Sequence, residues 1–197
     1  MKAIYRLCVA AICMASALTV SAQSKQSAAY ALYNNFNDFA AKQLSDPVQC
    51  GEKKDKLRID AFFGSRWVIV IHGGKKQRIE KSKLYGYRDC SGNDFRFYGR
   101  VVYKVMDTEG FYMYSRAEFI QIKGFRQPVT KYYFSLKGDD LPQSLTAVNL
   151  KKTFPGNKQF RYSLDAQFQD DKDLAAYDPY SKKYKIKDLF NQSMNKL

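Results

Sequence analysis

Apolar residues at Ala29, Leu32, Tyr33, Phe36, Phe39, Ala40 and Leu44 recur at spacings of three and four. That spacing describes one face of a helix, so a helix is predicted over residues 26–45, ended by Ser45-Asp46-Pro47. From Leu57 the period changes to two. Leu57, Ile59 and Ala61 alternate with Arg58, Asp60 and Phe62. Trp67-Val68-Ile69-Val70-Ile71 is apolar at every position and reads as a central strand covered on both faces. His72-Gly73-Gly74-Lys75 is a turn, followed by short strands near Gln77–Glu80 and Lys83–Arg88. After the turn at Ser91-Gly92-Asn93-Asp94, residues 95–106 alternate without interruption and predict one long strand. One face would hold Phe95, Phe97, Gly99, Val101, Tyr103 and Val105; the other would hold Arg96, Tyr98, Arg100, Val102, Lys104 and Met106. Asp107-Thr108-Glu109-Gly110 turns the chain into further strands at Phe111–Ser115, Glu118–Lys123 and Lys131–Lys137.

Beyond Gly138-Asp139-Asp140 the pattern becomes helical again. Thr146 is placed to cap a helix reaching Thr153, stopped by Pro155-Gly156. Asn157 is placed to cap a second, carrying Phe160, Leu164 and Phe168. Asp171 or Asp173 would cap a short third around Leu174–Tyr177, and Ile186, Leu189, Phe190 and Met194 form a terminal amphipathic turn or two. The predicted class is α+β: an N-terminal helix, an antiparallel β-meander of about six or seven strands (open sheet or partial barrel), and short C-terminal helices.

The first 22 residues change the compartment. Lys2 and Arg6 precede an uncharged apolar run from Leu7 to Val20, and Val20-Ser21-Ala22 is a small-residue cleavage pattern. The run is shorter than the roughly 20 residues a spanning helix needs. Residues 1–22 are therefore expected to be a signal peptide and 23–197 a single domain, exported to the periplasm or beyond the cell and not membrane-spanning after cleavage. Loss of the leader removes Cys8 and Cys13, leaving Cys50 and Cys90, an even pair 40 residues apart that suits one disulfide in an oxidising compartment. It also lowers the 33 basic residues to 31 against 19 acidic ones, taking the formal charge from +14 to +12. In an exported protein such a surplus points to anionic envelope polymers, lipid headgroups or acidic glycans rather than nucleic acid.

Tyr85-Gly86-Tyr87-Arg88-Asp89 with Ser91-Gly92 and Phe95-Arg96-Phe97-Tyr98 resembles a strand-turn-strand segment in a group of uncharacterised exported proteins from Bacteroidota. Leu145-Thr146, Asn149-Leu150-Lys151, Phe154-Pro155, Phe160, Leu164-Asp165, Phe168, Leu174, Tyr177-Asp178 and Tyr184-Lys185-Ile186 resemble the helical tail of the same group. The resemblance covers about residues 57–194. It implies export and no particular activity, and Cys50 and Cys90 stand outside its pattern.

A single histidine, His72, excludes chemistries that need two imidazoles. At the end of an apolar strand beside two glycines, it is the one histidine available as a catalytic base. No nucleophile elbow or phosphate-cradling glycine loop accompanies it. Asp170, Asp171, Asp173 and Asp178 form the densest acidic cluster, but their spacing misses the calcium-loop pattern, and helix capping explains Asp171 and Asp173. No metal or cofactor is expected. The candidate binding surface is aromatic and basic: Tyr85, Tyr87, Arg88, Arg96, Tyr98 and Arg100, with Lys104 beyond them, would share a face if the strands pair across Ser91-Gly92. The expectation is a non-enzymatic exported envelope protein that binds or scaffolds an anionic or glycan partner. A hydrolase of envelope or dietary polymer and a hydrophobic-ligand carrier are the alternatives.

Overall fold

The computed structural model describes residues 29–51, 54–60 and 64–194. The expected signal peptide and its cleavage point lie outside the described residues, as do the first residues of the predicted N-terminal helix and the end of the strand predicted to reach Phe62. The protein is mixed α+β, built on an open, antiparallel eight-stranded sheet.

The N-terminal segment corrects the helix expected over 26–45. Strand β1 (Ala29–Tyr33) runs into a short helix α1 (Phe36–Ala40), and strand β2 (Ser45–Gln49) returns antiparallel to β1. Leu32 and Tyr33 are both buried because consecutive strand residues point to opposite faces of a covered sheet. Their spacing to Phe36 and Phe39 imitates a helix, but Asn35 breaks it. Its side-chain oxygen accepts from Asp38 N at 3.0 Å and caps α1. Pro47 is tolerated in β2 because that strand is an edge.

The next unit is a separate three-stranded sheet of β3 (Lys56–Ile59), β4 (Trp67–His72) and β5 (Lys75–Glu80), in the order β3-β4-β5. β4 is central, as its apolar run suggests, but only its Val68 and Val70 face is buried; Trp67, Ile69 and Ile71 are half-exposed. A 3-10 turn (Lys81–Lys83) leads back to the large sheet. There the buried Lys81 ammonium donates to the carbonyls of Asp60 (2.6 Å) and Arg100 (3.2 Å), joining the two sheets.

The large sheet continues with β6 (Gly86–Arg88), β7 (Asp94–Tyr98), β8 (Val101–Asp107), β9 (Tyr112–Ile122), β10 (Phe125–Ser135) and β11 (Gln143–Ser144), in the order β11-β10-β9-β8-β7-β6-β1-β2. Predicted boundaries move: the strand expected at Lys131–Lys137 begins at Phe125, and the one expected at Lys83–Arg88 begins at Gly86. The single strand over 95–106 is a hairpin, folded at a two-residue turn whose first residue, Gly99, has φ +58°. The two strands predicted at 111–115 and 118–123 are one. Gly86 is required by close packing, since a β-carbon there would collide with the Phe95 carbonyl.

The sheet has an inner and an outer face. Leu32, Tyr87, Phe97 and Val102 on the inner face pack on Val68 and Val70 of the small sheet. Met113 and Phe134, further along the same face, pack under the C-terminal helices. These are α2 (Ala147–Thr153), α3 (Lys158–Gln167) and α4 (Lys185–Met194), with a 3-10 turn (Asp171–Ala175) and a ribbon of β12 (Tyr177–Asp178) and β13 (Lys183–Tyr184) between α3 and α4. The caps at Thr146 (to Asn149 N, 3.1 Å) and Asn157 (to Phe160 N, 2.9 Å) stand where the sequence placed them. The third cap is Asp170, while Asp171 instead accepts from Ala147 N and ties the 3-10 turn to α2. On the outer face, Tyr33, Phe39 and Tyr85 form a small core under α1, with Phe36, Val105 and Tyr112 packed against it. Among the described residues no helix is long and apolar enough to cross a membrane.

Candidate functional site

Strand register decides which predicted residues meet. Gly86 faces Arg96, Arg96 faces Tyr103, and Tyr114 faces both Val105 and Tyr133, so these positions lie on the outer face. Arg96 sits at the centre. Its side chain is buried, with Nη1 donating to Tyr114 Oη (2.9 Å) and Nη2 to the Asp140 carbonyl (2.7 Å). The guanidinium carbon lies 5.5 Å from the Tyr85 and Tyr114 ring centres and 5.6 Å from that of Tyr98. Arg suits this place because its planar, weakly hydrated cation stacks on aromatic faces. Tyr85 donates to the Gly138 carbonyl at 2.7 Å, so Tyr85 and Arg96 together hold the 136–141 loop against the sheet. Gly138 fits there because a β-carbon would strike the Phe36 ring.

Three of the six expected binding residues, Tyr85, Arg96 and Tyr98, are thus brought together. The other three go elsewhere. Tyr87 turns to the inner face and stacks on Phe95, with ring centres 4.6 Å apart. Arg88 stays on the outer face but makes two hydrogen bonds to Asp94, at 2.8 and 3.0 Å, beside Tyr33 and Lys42. Burial opposes the Asp94 charge, but Arg88, Lys42 and the Tyr33 hydroxyl outweigh it and hold the carboxyl below its usual range. Arg100 occupies the β7–β8 turn, exposed, and Lys104 falls on the inner face because the two-residue turn inverts the alternation.

The outer face gathers further residues that linear reading missed. Tyr103 meets Tyr133 edge to face, with centres 5.1 Å apart. Glu118 accepts from the Tyr133 hydroxyl and pairs with Arg116 and Lys131, each at 3.1 Å. Burial opposes the Glu118 charge, yet Tyr133, Lys131 and Arg116 prevail and hold its carboxyl below the usual range. Burial and the bond to Glu118 push the Tyr133 hydroxyl up to about 12. Nε of Arg96 and Nε of Arg116 are buried and lack a hydrogen-bond partner among the described residues. The result is a shelf of Tyr98, 41% exposed, and half-buried Tyr133 over the buried ring of Tyr103, bordered by Arg116, Glu118 and Lys131. The ionised side chains of Arg96, Arg116, Lys131 and Glu118 leave it net positive. No sequence signal links Tyr103 to Tyr133 except the register of three strands.

His72 ends β4 with an exposed side chain, its Nδ1 3.2 Å from Asp55 Oδ2, while Asp55 Oδ1 accepts from Gly73 N. It lines a hollow of about 360 Å³ with Asp46, Pro47, Val48, Val70 and Gln77, which contributes no hydroxyl or thiol among the described residues. A larger hollow of about 590 Å³ follows β1 and β2 beside Cys90 and contains, of the expected site residues, only Arg88. Cys50 and Cys90 are bonded, with Cα atoms 6.0 Å apart, and tie the end of β2 to the β6–β7 turn. Among the described residues no three His, Cys, Asp or Glu side chains converge on a metal position. Asp170 and Asp171 cap, and Asp178 accepts from Tyr180 N and Ser181. Compared with known family models, curated proteins and solved structures, the chain matches none.

Proposed function

We propose that this protein is a non-enzymatic, exported binding module that holds an anionic carbohydrate polymer on the outer face of β7–β10. The observation that carries this reading is the shelf itself. Tyr98 presents an exposed ring above a buried guanidinium, half-buried Tyr133 continues the aromatic surface over the buried Tyr103 ring, and Arg116 and Lys131 stand at its border. Sugar rings stack on such faces, and acidic groups of the polymer add attraction to the cations. The chain's formal charge of +14 favours encounter with an anionic partner. A general acid for hydrolysis needs a carboxyl pushed upward, whereas Glu118, the carboxyl at the border of this shelf, is held below its usual range by Tyr133, Lys131 and Arg116.

Titration calorimetry with polygalacturonate, and with neutral dextran of similar length, tests the reading. Binding of polygalacturonate that weakens with salt and far exceeds binding of dextran is expected. Equal binding of both polymers, or of neither, overturns it.

A further inference from the structure

The ladder between β8 and β9 reaches only Lys104 and Ser115. Past that point β9 and β10 pair with each other alone, from Arg116 and Lys131 out to Ile122 and Phe125. The sheet therefore emits a two-stranded ribbon about 20 Å long. Its turn is Lys123-Gly124, with φ +50° and +83°, which closes the hairpin in two residues and fixes the register at the tip.

The tip is apolar where water would favour polar residues. Phe125 is 73% exposed, Phe119 47% and Ile122 39%. Register puts Ile120, Ile122, Phe125 and Val129 on one side, and Phe119 and Pro128 on the other. A two-stranded ribbon has no core of its own to explain Ile122 and Phe125 at its end. Cations surround them. Lys123 is in the turn, and the Arg126 guanidinium lies 5.5 Å from the Phe119 ring centre. From Phe119 through Gly138 the chain has no acidic residue, while Lys123, Arg126, Lys131 and Lys137 are basic. An exposed apolar tip ringed only by cations complements one surface in particular: an anionic bilayer. There, the rings enter the headgroup–acyl boundary and the cations stay among the headgroups. The ribbon's acidic residue, Glu118, stands at its base and is already paired with Arg116 and Lys131, so the tip offers a protein partner's cations nothing to pair with. Pro128 in the outer strand β10 also removes a ladder donor, which disfavours extension of the sheet by another chain.

We infer that the β9–β10 ribbon is a membrane-docking arm whose tip, Ile122 and Phe125 with Lys123 and Arg126, inserts shallowly into an anionic lipid surface. This surface is distinct from the polymer shelf at the base of the arm and does not depend on it. Docking is peripheral, with the tip reaching about 5–10 Å into the interface.

The test uses the full chain carrying Phe125→Trp, a substitution at an exposed tip, with vesicles of phosphatidylcholine alone or mixed with phosphatidylglycerol. The reading follows the fluorescence of the introduced indole after subtraction of the wild-type signal from Trp67, so adsorption through any other segment does not report. A blue shift with anionic vesicles, quenching by lipids brominated on the upper acyl chain, and reversal by salt are expected. Lys123→Gln with Arg126→Gln should lower the partition coefficient by about tenfold or more. An unchanged emission spectrum with anionic vesicles overturns the inference. So does an equal, salt-insensitive shift with neutral vesicles. A shift that grows with protein concentration without lipid, together with a dimer in sedimentation, overturns it in favour of a second copy of the chain. None of these readings depends on polygalacturonate, so failure here leaves the polymer proposal standing, and the reverse also holds.

Discussion

The two faces of the large sheet are made by the same strands and do opposite things. On the inner face, Leu32, Phe97, Val102, Met113 and Phe134 are closed in by the small sheet on one side and the helical tail on the other. On the outer face, tyrosines occupy the corresponding alternate positions, and α1 with the 136–141 loop covers only part of them. Aliphatic and phenylalanine side chains gain most from complete burial. Tyrosine gives an apolar body and a hydroxyl that must be satisfied, which suits a face half in and half out of water. The inner face is thus packed along its length, while the part of the outer face left uncovered, around Tyr98 and Tyr133, is where the proposed recognition falls.

The sharpest way to break this comparison is to remove a large inner residue. Phe134 is fully buried, edge-on to Phe111. Phe134→Ala should cost about 3–5 kcal/mol in urea unfolding, whereas an exposed outer ring such as Tyr98, changed to Ala, should cost less than about 1 kcal/mol. Equal costs would mean that the faces are not divided in this way. Next in size is the Cys50–Cys90 bond, which closes a 40-residue separation at the sheet's edge. Its reduction should lower stability by about 3–4 kcal/mol in the same assay, without altering the inner-face contacts.

The inner side also holds a buried cation that makes stability depend on pH. Lys187 of α4 donates to the carbonyls of Glu109 (2.7 Å) and Phe111 and lies 3.4 Å from Asp107. Burial pulls its ammonium down to about 8, against the opposing attraction of Asp107. Below pH 8 both folded and unfolded chains carry the proton, and the cost of burying it is present in full. Between about pH 8 and the ordinary lysine value of 10.5, the unfolded chain keeps a proton that the folded chain has lost, so stability rises with pH, by up to about 3 kcal/mol. Above about pH 10 the trend reverses, because buried Tyr33, Tyr85 and Tyr87 and half-buried Tyr133 ionise more readily unfolded than folded. Thermal unfolding from about pH 7 to 10 should show the rise, and Lys187→Met should flatten it.

A smaller effect belongs to the covered half of the outer face. Arg96→Met removes the bonds to Tyr114 and to the Asp140 carbonyl and should cost about 2 kcal/mol. Its distinguishing sign is local: amide hydrogens of the 136–141 loop should exchange faster while those of the inner strands do not change.

Short-range signals in the sequence placed the parts of the fold that depend on neighbours. Thr146 and Asn157 cap the helices expected of them, Gly73-Gly74 turns the β4–β5 hairpin, and Asp107–Gly110 separates two strands. Failure came where one pattern serves two structures. The aromatic spacing around Leu32 and Phe36 fits a helix, but sheet pairing on both sides of β1 wins and the helix shrinks to five residues after Asn35. Alternation runs on through Gly99-Arg100, so nothing but one glycine announces the hairpin that moves Lys104 away from Arg96 and Tyr98. The shelf was half legible for the same reason. Tyr85, Arg96 and Tyr98 lie within one short stretch, whereas Tyr103 joins them only because the turn at Gly99-Arg100 inverts the alternation, and Arg116 and Tyr133 only through the pairing of β9 with β8 and β10.

The proposed division of the sheet into a supporting and a recognising face is tested most directly by two lysines, one on each side. Lys131 borders the outer shelf beside Glu118, and Lys104 lines a hollow of about 320 Å³ on the inner side. The measurement is the affinity for polygalacturonate of Lys131→Ala, alone and with Tyr98→Ala, against that of Lys104→Ala, all at one salt concentration. The account predicts a loss of about fivefold or more for Lys131→Ala, a deeper loss with Tyr98→Ala, and no change for Lys104→Ala. Equal losses from the two lysines, or a greater loss from Lys104→Ala, would contradict it.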